Sequence, residues 1–410
     1  MIISVKKIQT LWFCAFLLAW GGCGNKAYPN DGRITTKDTK GRSEKTFPKN
    51  NILKIDVSEK HGNKEIIYLQ DIADISYIPL ETNDTILLDD IRNFTITDKH
   101  ILAHNKKEGS IFLFNPEGKI IGSFNRKGAS GKEYMYCGKV TFDEEKKEIY
   151  VADDIRRKKI LVYNFDGSFI RSIPTFTTVI DGLMNVNDKW LFCYDMASLM
   201  FVEKKDSLGN FRLISKDSGK QKILLPEQEE EQTNTIKGKD GTIFYEIFSF
   251  PYYRNGEEIL LADLASDTIY RIINDKIAPY IIKENTQRNL LVTPYLKTKE
   301  HIYLYAIEKV EKSETFRNRR IISHNLQTGE TRDVSFKNKD MKNKAMEDKT
   351  VSFLNSLVEN RIQNCGIEVY PAHTLIKLNE KGQLTGELKK IASTLKEDDN
   401  PVIMMVKFKF

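Results

Sequence analysis

The chain has 410 residues, with 40% hydrophobic and 29% charged side chains, the balance of an ordinary globular protein. Its 63 basic and 57 acidic residues leave a net charge of +6 that is spread along the chain. No basic stripe is dense enough for nucleic-acid binding, and the length allows a large core or a complete ring of repeats.

The first 22 residues read as a secretory signal. Lys6 and Lys7 precede an apolar run from Leu11 to Trp20, followed by "GGCGN". That run is about half of the roughly 20 residues a membrane-spanning helix needs. Residues 23–50 are polar, lack periodicity and read as a flexible tether, with a root-mean-square reach of roughly 30 Å. Cys137, Cys193 and Cys365 form no C-x-x-C pair, so neither a disulfide framework nor a zinc site is expected, and they read as buried free thiols.

The folded part is expected over residues 51–410. "ISYIPLET" (75–82) alternates and contains Pro79, which suits an edge strand or a strand end. Two similar stretches follow: "ILAHNKKEGSIFLFNPEGKII" at 101–121 and "IYVADDIRRKKILVYNFDGSF" at 149–169. Gly118 and Gly167 are 49 positions apart, as are Phe114 and Tyr163. Each stretch belongs to a unit of four short strands, over 91–124 and 138–173. A period of 40–50 residues built of short strands indicates radial repetition, because one such unit cannot cover its own faces.

Further units are expected around 189–226, 258–282 and 301–336, and a degraded sixth near 351–370. Leu388, Ile391 and Leu395 carry helical spacing within 384–396. The chain ends in the apolar "NPVIMMVKFKF", which is expected to share a closing blade with the strand at 75–80. The fold expected is therefore all-β: a six-bladed β-propeller of four-stranded antiparallel blades, closed by the N- and C-terminal strands.

Two resemblances sharpen this reading. "EIYVADDIRRKKILVYNFDGSFI" resembles an NHL repeat. "ISYIPLET", "FNRKGASGKEY" (124–134) and "LKEDDNPVIMMVKFK" together resemble the six-bladed propeller lipoproteins of Bacteroides-type bacteria. Lys132 departs from that family's loop, which usually carries Gly-Pro before Glu-Tyr. Cys23, after Gly21 and Gly22, resembles a lipobox cysteine, although Trp20 stands where Leu is usual. The resemblance implies export and a lipid anchor at Cys23 in the outer membrane. It implies no established activity.

Candidate binding residues are sought in loops. Arg156 and Arg157 stand in a basic hairpin, and Tyr252, Tyr253 and Arg254 group beside a Gly-containing turn, where aromatics with Arg suit peptide or glycan contact. Packing between blades is the competing role for these tyrosines. Gly128, Gly131 and Lys132 lack the spacing and the Ser/Thr of a phosphate-binding loop. Asp153 and Asp263 share a blade offset, where such residues either cap turns or converge on a channel. His100 and His104 lie four apart on one strand-like run and would need a third ligand to hold a metal. No catalytic set, metal site or cofactor is assigned. The function expected is a non-enzymatic envelope module that binds or scaffolds a protein, peptide or glycan; the alternative is a lyase or hydrolase with a metal in the central channel.

Overall fold

The computed structural model describes residues 52–58, 64–88, 93–153, 158–175, 180–195, 210–225, 235–237, 243–245, 251–262, 266–287, 289–310, 315–342 and 359–410. Strand accounts for 57% of the structure and helix for 7%, and six blades form a β-propeller. The signal, the tether, Cys23, Arg156, Arg157 and Asp263 lie outside the described residues.

Blade 1 runs through Phe94–Ile96, Ile101–His104, Ser110–Phe114 and Ile120–Asn125. Blade 2 uses Cys137–Asp143, Glu148–Asp153, Lys159–Asn164 and Phe169–Pro174; blade 3 uses Ile180–Asn185, Trp190–Asp195, Phe211–Ser215 and Gln221–Ile223. Blade 4 is Tyr252–Asn255, Glu258–Ala262, Thr268–Ile273 and Lys276–Glu284; blade 5 is Leu290–Lys297, His301–Val310, Thr315–Asn325 and Thr331–Lys337. Each is an antiparallel meander. The repeated glycines explain the 49-residue echo. Gly118 and Gly167 both turn the third strand into the fourth at φ +80°. A Cβ at Gly118 would stand 2.4 Å from the Pro79 carbonyl oxygen, and one at Gly167 2.5 Å from the Phe124 ring. Each turn thus abuts the preceding blade too closely for a side chain.

Blade 6 joins the two ends of the chain. Val402–Phe408 lies between Cys365–Tyr370 and Ala73–Pro79, with Val402 opposite Pro79, Met404 opposite Tyr77 and Phe408 opposite Ala73. The Leu80 amide extends the pairing to the Pro401 carbonyl at 3.2 Å. The expected closure is therefore present. The short strand Glu359–Asn360 leaves blade 6 and pairs in parallel with Thr95–Ile96 of blade 1, which closes the ring a second time beside the axis.

Several elements differ from the sequence reading. The innermost strands of blades 3, 4 and 5 were not legible as strands. They are packed on both faces and show no clean alternation, and Pro294 sits at a bulge in the last of them. The expected helix is Gly386–Ala392, and a second, Ala372–Glu380, precedes it. Before blade 6 the chain also adds two parallel outer strands, Leu53–Asp56 on blade 4 and Glu65–Tyr68 on blade 5. This strap gives each of those blades a fifth strand.

The core lies between blades. Met184, Phe192, Tyr194, Phe211, Tyr252 and Leu261 fill the junction of blades 3 and 4. The Tyr194 ring lies 5.2 Å from Phe211 and 5.3 Å from Tyr252. Cys137, Cys193 and Cys365 are buried free thiols, as expected.

If closure holds the ring together, Met404→Asp should lower stability by about 3 kcal/mol or more, since it buries a carboxylate in an apolar strand with no exposure. Deleting 402–410 should abolish the cooperative urea transition. A sharp transition near the parent midpoint in the truncated chain would contradict this account.

Candidate functional site

A buried network of side chains joins the inner strands of several blades. Parallel pairing with Thr95 places Glu359 beside the inner strands of blades 1 and 2. Its carboxylate accepts hydrogen bonds from Thr141 Oγ1 at 2.6 Å, Arg361 Nε at 2.8 Å, and Thr95 Oγ1 and an Arg254 terminal nitrogen at 3.3 Å. Arg361 also donates to Thr141 Oγ1 at 3.0 Å and to the Phe142 carbonyl at 2.5 Å. Arg254 donates to the Asn185 carbonyl at 2.5 Å and to the Gly256 carbonyl at 2.7 Å. The Asn185 amide donates to Thr141 Oγ1 at 3.2 Å. One buried carboxylate thus gathers groups from blades 1, 2, 4 and 6, and Arg254 adds blade 3.

Burial, together with the like charge of Arg361, pushes the Arg254 guanidinium down to about 10. Side-chain exposure is 5% for both Arg254 and Glu359, so the pair has little water to screen it. A second buried pair ties blade 3 to blade 2: Lys216 Nζ lies 2.6 Å from Asp143 Oδ2 and 5.1 Å from the Tyr150 ring centre. Burial works against both charges. It wins for Lys216, whose pKa is lowered; for Asp143 it is outweighed by the Lys216 ammonium and the Lys146 amide, which hold the carboxyl below its usual value. Nearby, Arg171 forms a two-point pair with Glu148 at 2.6 and 3.0 Å, and the Tyr150 hydroxyl donates to the same carboxylate at 2.5 Å.

The structure relocates the residues proposed for loop contact. Tyr252 and Tyr253 are in the core with 2% and 1% exposure, and Arg254 belongs to the axial network. Tyr252–Asn255 is the innermost strand of blade 4, packed against its neighbours, so the two tyrosines take the packing role that competed with ligand contact, and the contact role is corrected. Asp153 caps backbone, its Oδ1 accepting the amides of Met135 at 3.0 Å and Tyr136 at 3.3 Å. The Gly-rich loop is braced from within: the Tyr134 hydroxyl donates to the Gly109 carbonyl at 2.5 Å, and Glu133 accepts the Ser130 amide at 2.9 Å. His100 contacts Glu144 at 2.6 Å and His104 contacts the Gly138 carbonyl at 3.3 Å, from opposite ends of one strand. Among the described residues, no three His, Cys, Asp or Glu side chains stand together as metal ligands. Glu359 and Arg361 were not singled out from sequence. They sit in "VENRIQN", where the repeat is too degraded to give a register.

Two clefts open at blade junctions. One, of about 390 Å³, lies between blades 6 and 1 and includes Ile78, Ile101, Ile362 and Met405 with Asp98 and Lys407. The other, of about 330 Å³, lies where the strap passes from blade 5 to blade 6 and includes Tyr68, His301, Arg332 and Phe410.

The sequence from 52 to 407 matches the model of a domain of unknown function, DUF4934. The chain belongs to the DUF4934 family. No curated protein matches it. A Bacteroides fragilis protein described as a candidate exported protein is structurally similar, with a TM-score of 0.59 at 13% identity, over 88% of this chain and all of that one. A DUF4221 member from Bacteroides vulgatus gives a TM-score of 0.45 at 11% identity, over 82% of this chain and 97% of its own. At such identity the first likeness shows the fold alone. The DUF4934 chain shares with it a propeller, and function must be argued from this chain's own residues.

Replacing Glu359 by Ala leaves Arg254 and Arg361 facing each other without their anion. The expected loss is about 3–5 kcal/mol in urea unfolding, and Glu359→Gln, which keeps the acceptor oxygen, should lose less. Equal losses would show that the retained acceptor oxygen contributes nothing, and a Glu359→Gln protein as stable as the parent would show that the charge is immaterial. Acid should weaken the fold at a second place. Burial raises the Glu148 pKa, but the Arg171 and Tyr150 bonds outweigh it and the net shift is downward. A folded-state value below the unfolded value of about 4.3 adds stability above that pH, and this stability is lost as pH falls through the folded value. Glu148→Gln should therefore flatten the dependence of stability on pH between about 5 and 3; an unchanged slope would exclude Glu148 as its source.

Proposed function

We propose that this DUF4934 protein is a cell-envelope propeller, anchored by a lipid on Cys23 and held off the outer membrane by residues 24–50. In this reading it acts as a non-enzymatic module that binds or scaffolds an envelope protein, peptide or glycan. The observation that carries the reading is the pairing of Arg254 and Arg361 with Glu359 among the inner strands, together with the open junction clefts. The Arg254 and Arg361 guanidiniums stand around the one Glu359 carboxylate, and two fixed positive charges there oppose a metal cation at that carboxylate. The two junction clefts are surfaces available for recognition. Export is supported by the basic start, the short apolar run and "GGCGN", and by the description of the B. fragilis neighbour as a candidate exported protein.

Fractionation tests the anchor. The parent chain should sediment with membranes and carry a lipid-modified Cys23 by mass spectrometry, and Cys23→Ser should release it. A soluble parent chain would refute the anchor. Glycan and peptide arrays probed with the purified protein should show saturable binding, and elemental analysis should find no stoichiometric metal. A stoichiometric transition metal would favour the enzyme reading instead.

A further inference from the structure

We propose that the cleft between blades 5 and 6 is a binding site for a neutral, polyhydroxylated ligand with an apolar face, the chemistry of a sugar ring. This rests on the binding reading above and names its site and ligand class. The cleft is walled by strap strand Glu65–Tyr68, the Thr298–His301 turn and the segment Phe408–Phe410. Its volume, about 330 Å³, falls at the small end of the range of ligand pockets, about 300–1,000 Å³.

Its apolar surface is unusual for this molecule. Ile66, Tyr68 and Phe410 are 49%, 41% and 49% exposed. They are three of the nine large apolar side chains that the described residues leave exposed, gathered at one opening. Ile66 and Tyr68 share one face of their strand, and Glu65 and Ile67, with their register partners Val334 and Phe336, share the other; both faces border the cleft. Phe408 and Tyr303 lie buried among the same lining residues.

The charged groups around the cleft are paired and still accessible. Arg332 bridges Glu65 at 2.6 Å and Glu330 at 2.5 Å, and these side chains are 42–58% exposed. Lys339 pairs with Asp71 and lies 5.5 Å from the Tyr68 ring centre. Of the charged residues that line the cleft, Glu65 and Asp71 outnumber Arg332, which leaves no surplus of positive charge there to attract a phosphate. Planar carboxylate and guanidinium groups retain acceptors and donors suited to vicinal hydroxyls.

His301 supplies a defined donor. The Asn325 side-chain oxygen already accepts the amides of Gln327 and Thr328, each at 2.9 Å. Its NH₂ therefore faces His301 Nε2, at 3.2 Å, and donates to it, so the imidazole proton resides on Nδ1. Burial holds the His301 pKa below its usual value, which keeps the ring neutral at pH 7. A peptide adding to the open edge of 65–68 fits less well. Only four residues of strand are available before the chain turns into the short helix Leu69–Ile72.

The test uses the full chain in detergent and a panel of neutral hexasaccharides: malto-, cello-, xylo-, laminari-, manno- and chito-oligosaccharides. Binding is read by saturation-transfer NMR and calorimetry, with inorganic phosphate and a library of uncharged decapeptides in parallel. At least one hexasaccharide should bind the parent chain. Tyr68→Ala and Phe410→Ala, both at exposed positions, should each weaken that binding at least tenfold, while Ile170→Ala on blade 2 leaves it unchanged. Silence across the panel overturns the proposal, as does sugar binding indifferent to both variants, or Tyr68-dependent binding of phosphate or peptide instead. The general binding reading fails separately: it falls only if the arrays also find no ligand of any class.

Discussion

Closure is the constraint on which the rest depends. Each blade presents two apolar faces and can bury them only against neighbours, so five blades in an open arc would leave two faces bare. The chain solves this by splitting blade 6 between its ends. Val402–Phe408 inserts between a strand from residues 365–370 and one from 73–79, and its side chains from Val402 to Val406 are almost wholly buried. The pairing joins positions more than 320 residues apart in sequence. The seam therefore depends on both ends of the fold being in place together.

The second closure, at the axis, is electrostatic. Glu359–Asn360 is only two residues long, too short for its ladder to account for its position. What holds it is the ligand set of one carboxylate: two guanidiniums and two threonine hydroxyls from four blades. A buried pair of this kind contributes little net stability, because desolvation cancels most of the attraction. Its effect is geometric. With Thr141 Oγ1 donating to Glu359 while accepting from Arg361 and the Asn185 amide, the inner strands are fixed in one register around the axis.

How far the sequence revealed this depended on distance from the axis. The hairpins of blades 1 and 2 were plain, because their turns repeat an Asn-x-x-Gly geometry and their outer strands alternate. Blade 2's last strand reads intermediate, exposed, intermediate, exposed, as an outer strand should. Inner strands lose that signal. Tyr252–Asn255 is buried at every position, so its two tyrosines and arginine looked like an aromatic turn when they are core and axis. The network around Glu359 was invisible for a different reason: it joins residues 95, 141, 254 and 361, and only three-dimensional pairing brings them together. The strap was missed because four-residue strands carry too little pattern to distinguish from loop.

That strap links the architecture to the surface proposed for binding. Open sheet edges invite further pairing, and blades 4 and 5 have theirs covered by Leu53–Asp56 and Glu65–Tyr68. Covering an edge requires only backbone, so the side chains of Glu65–Tyr68 are under no demand from the fold to be apolar on their outer face. Ile66 and Tyr68 nevertheless are, and Glu65 is committed to Arg332 across the parallel pair. An outer strand selected only for protection would carry charge or proline at those positions. Exposed apolar side chains on a protective strand, beside a paired-charge rim and a neutral imidazole, are better accounted for by a ligand than by stability.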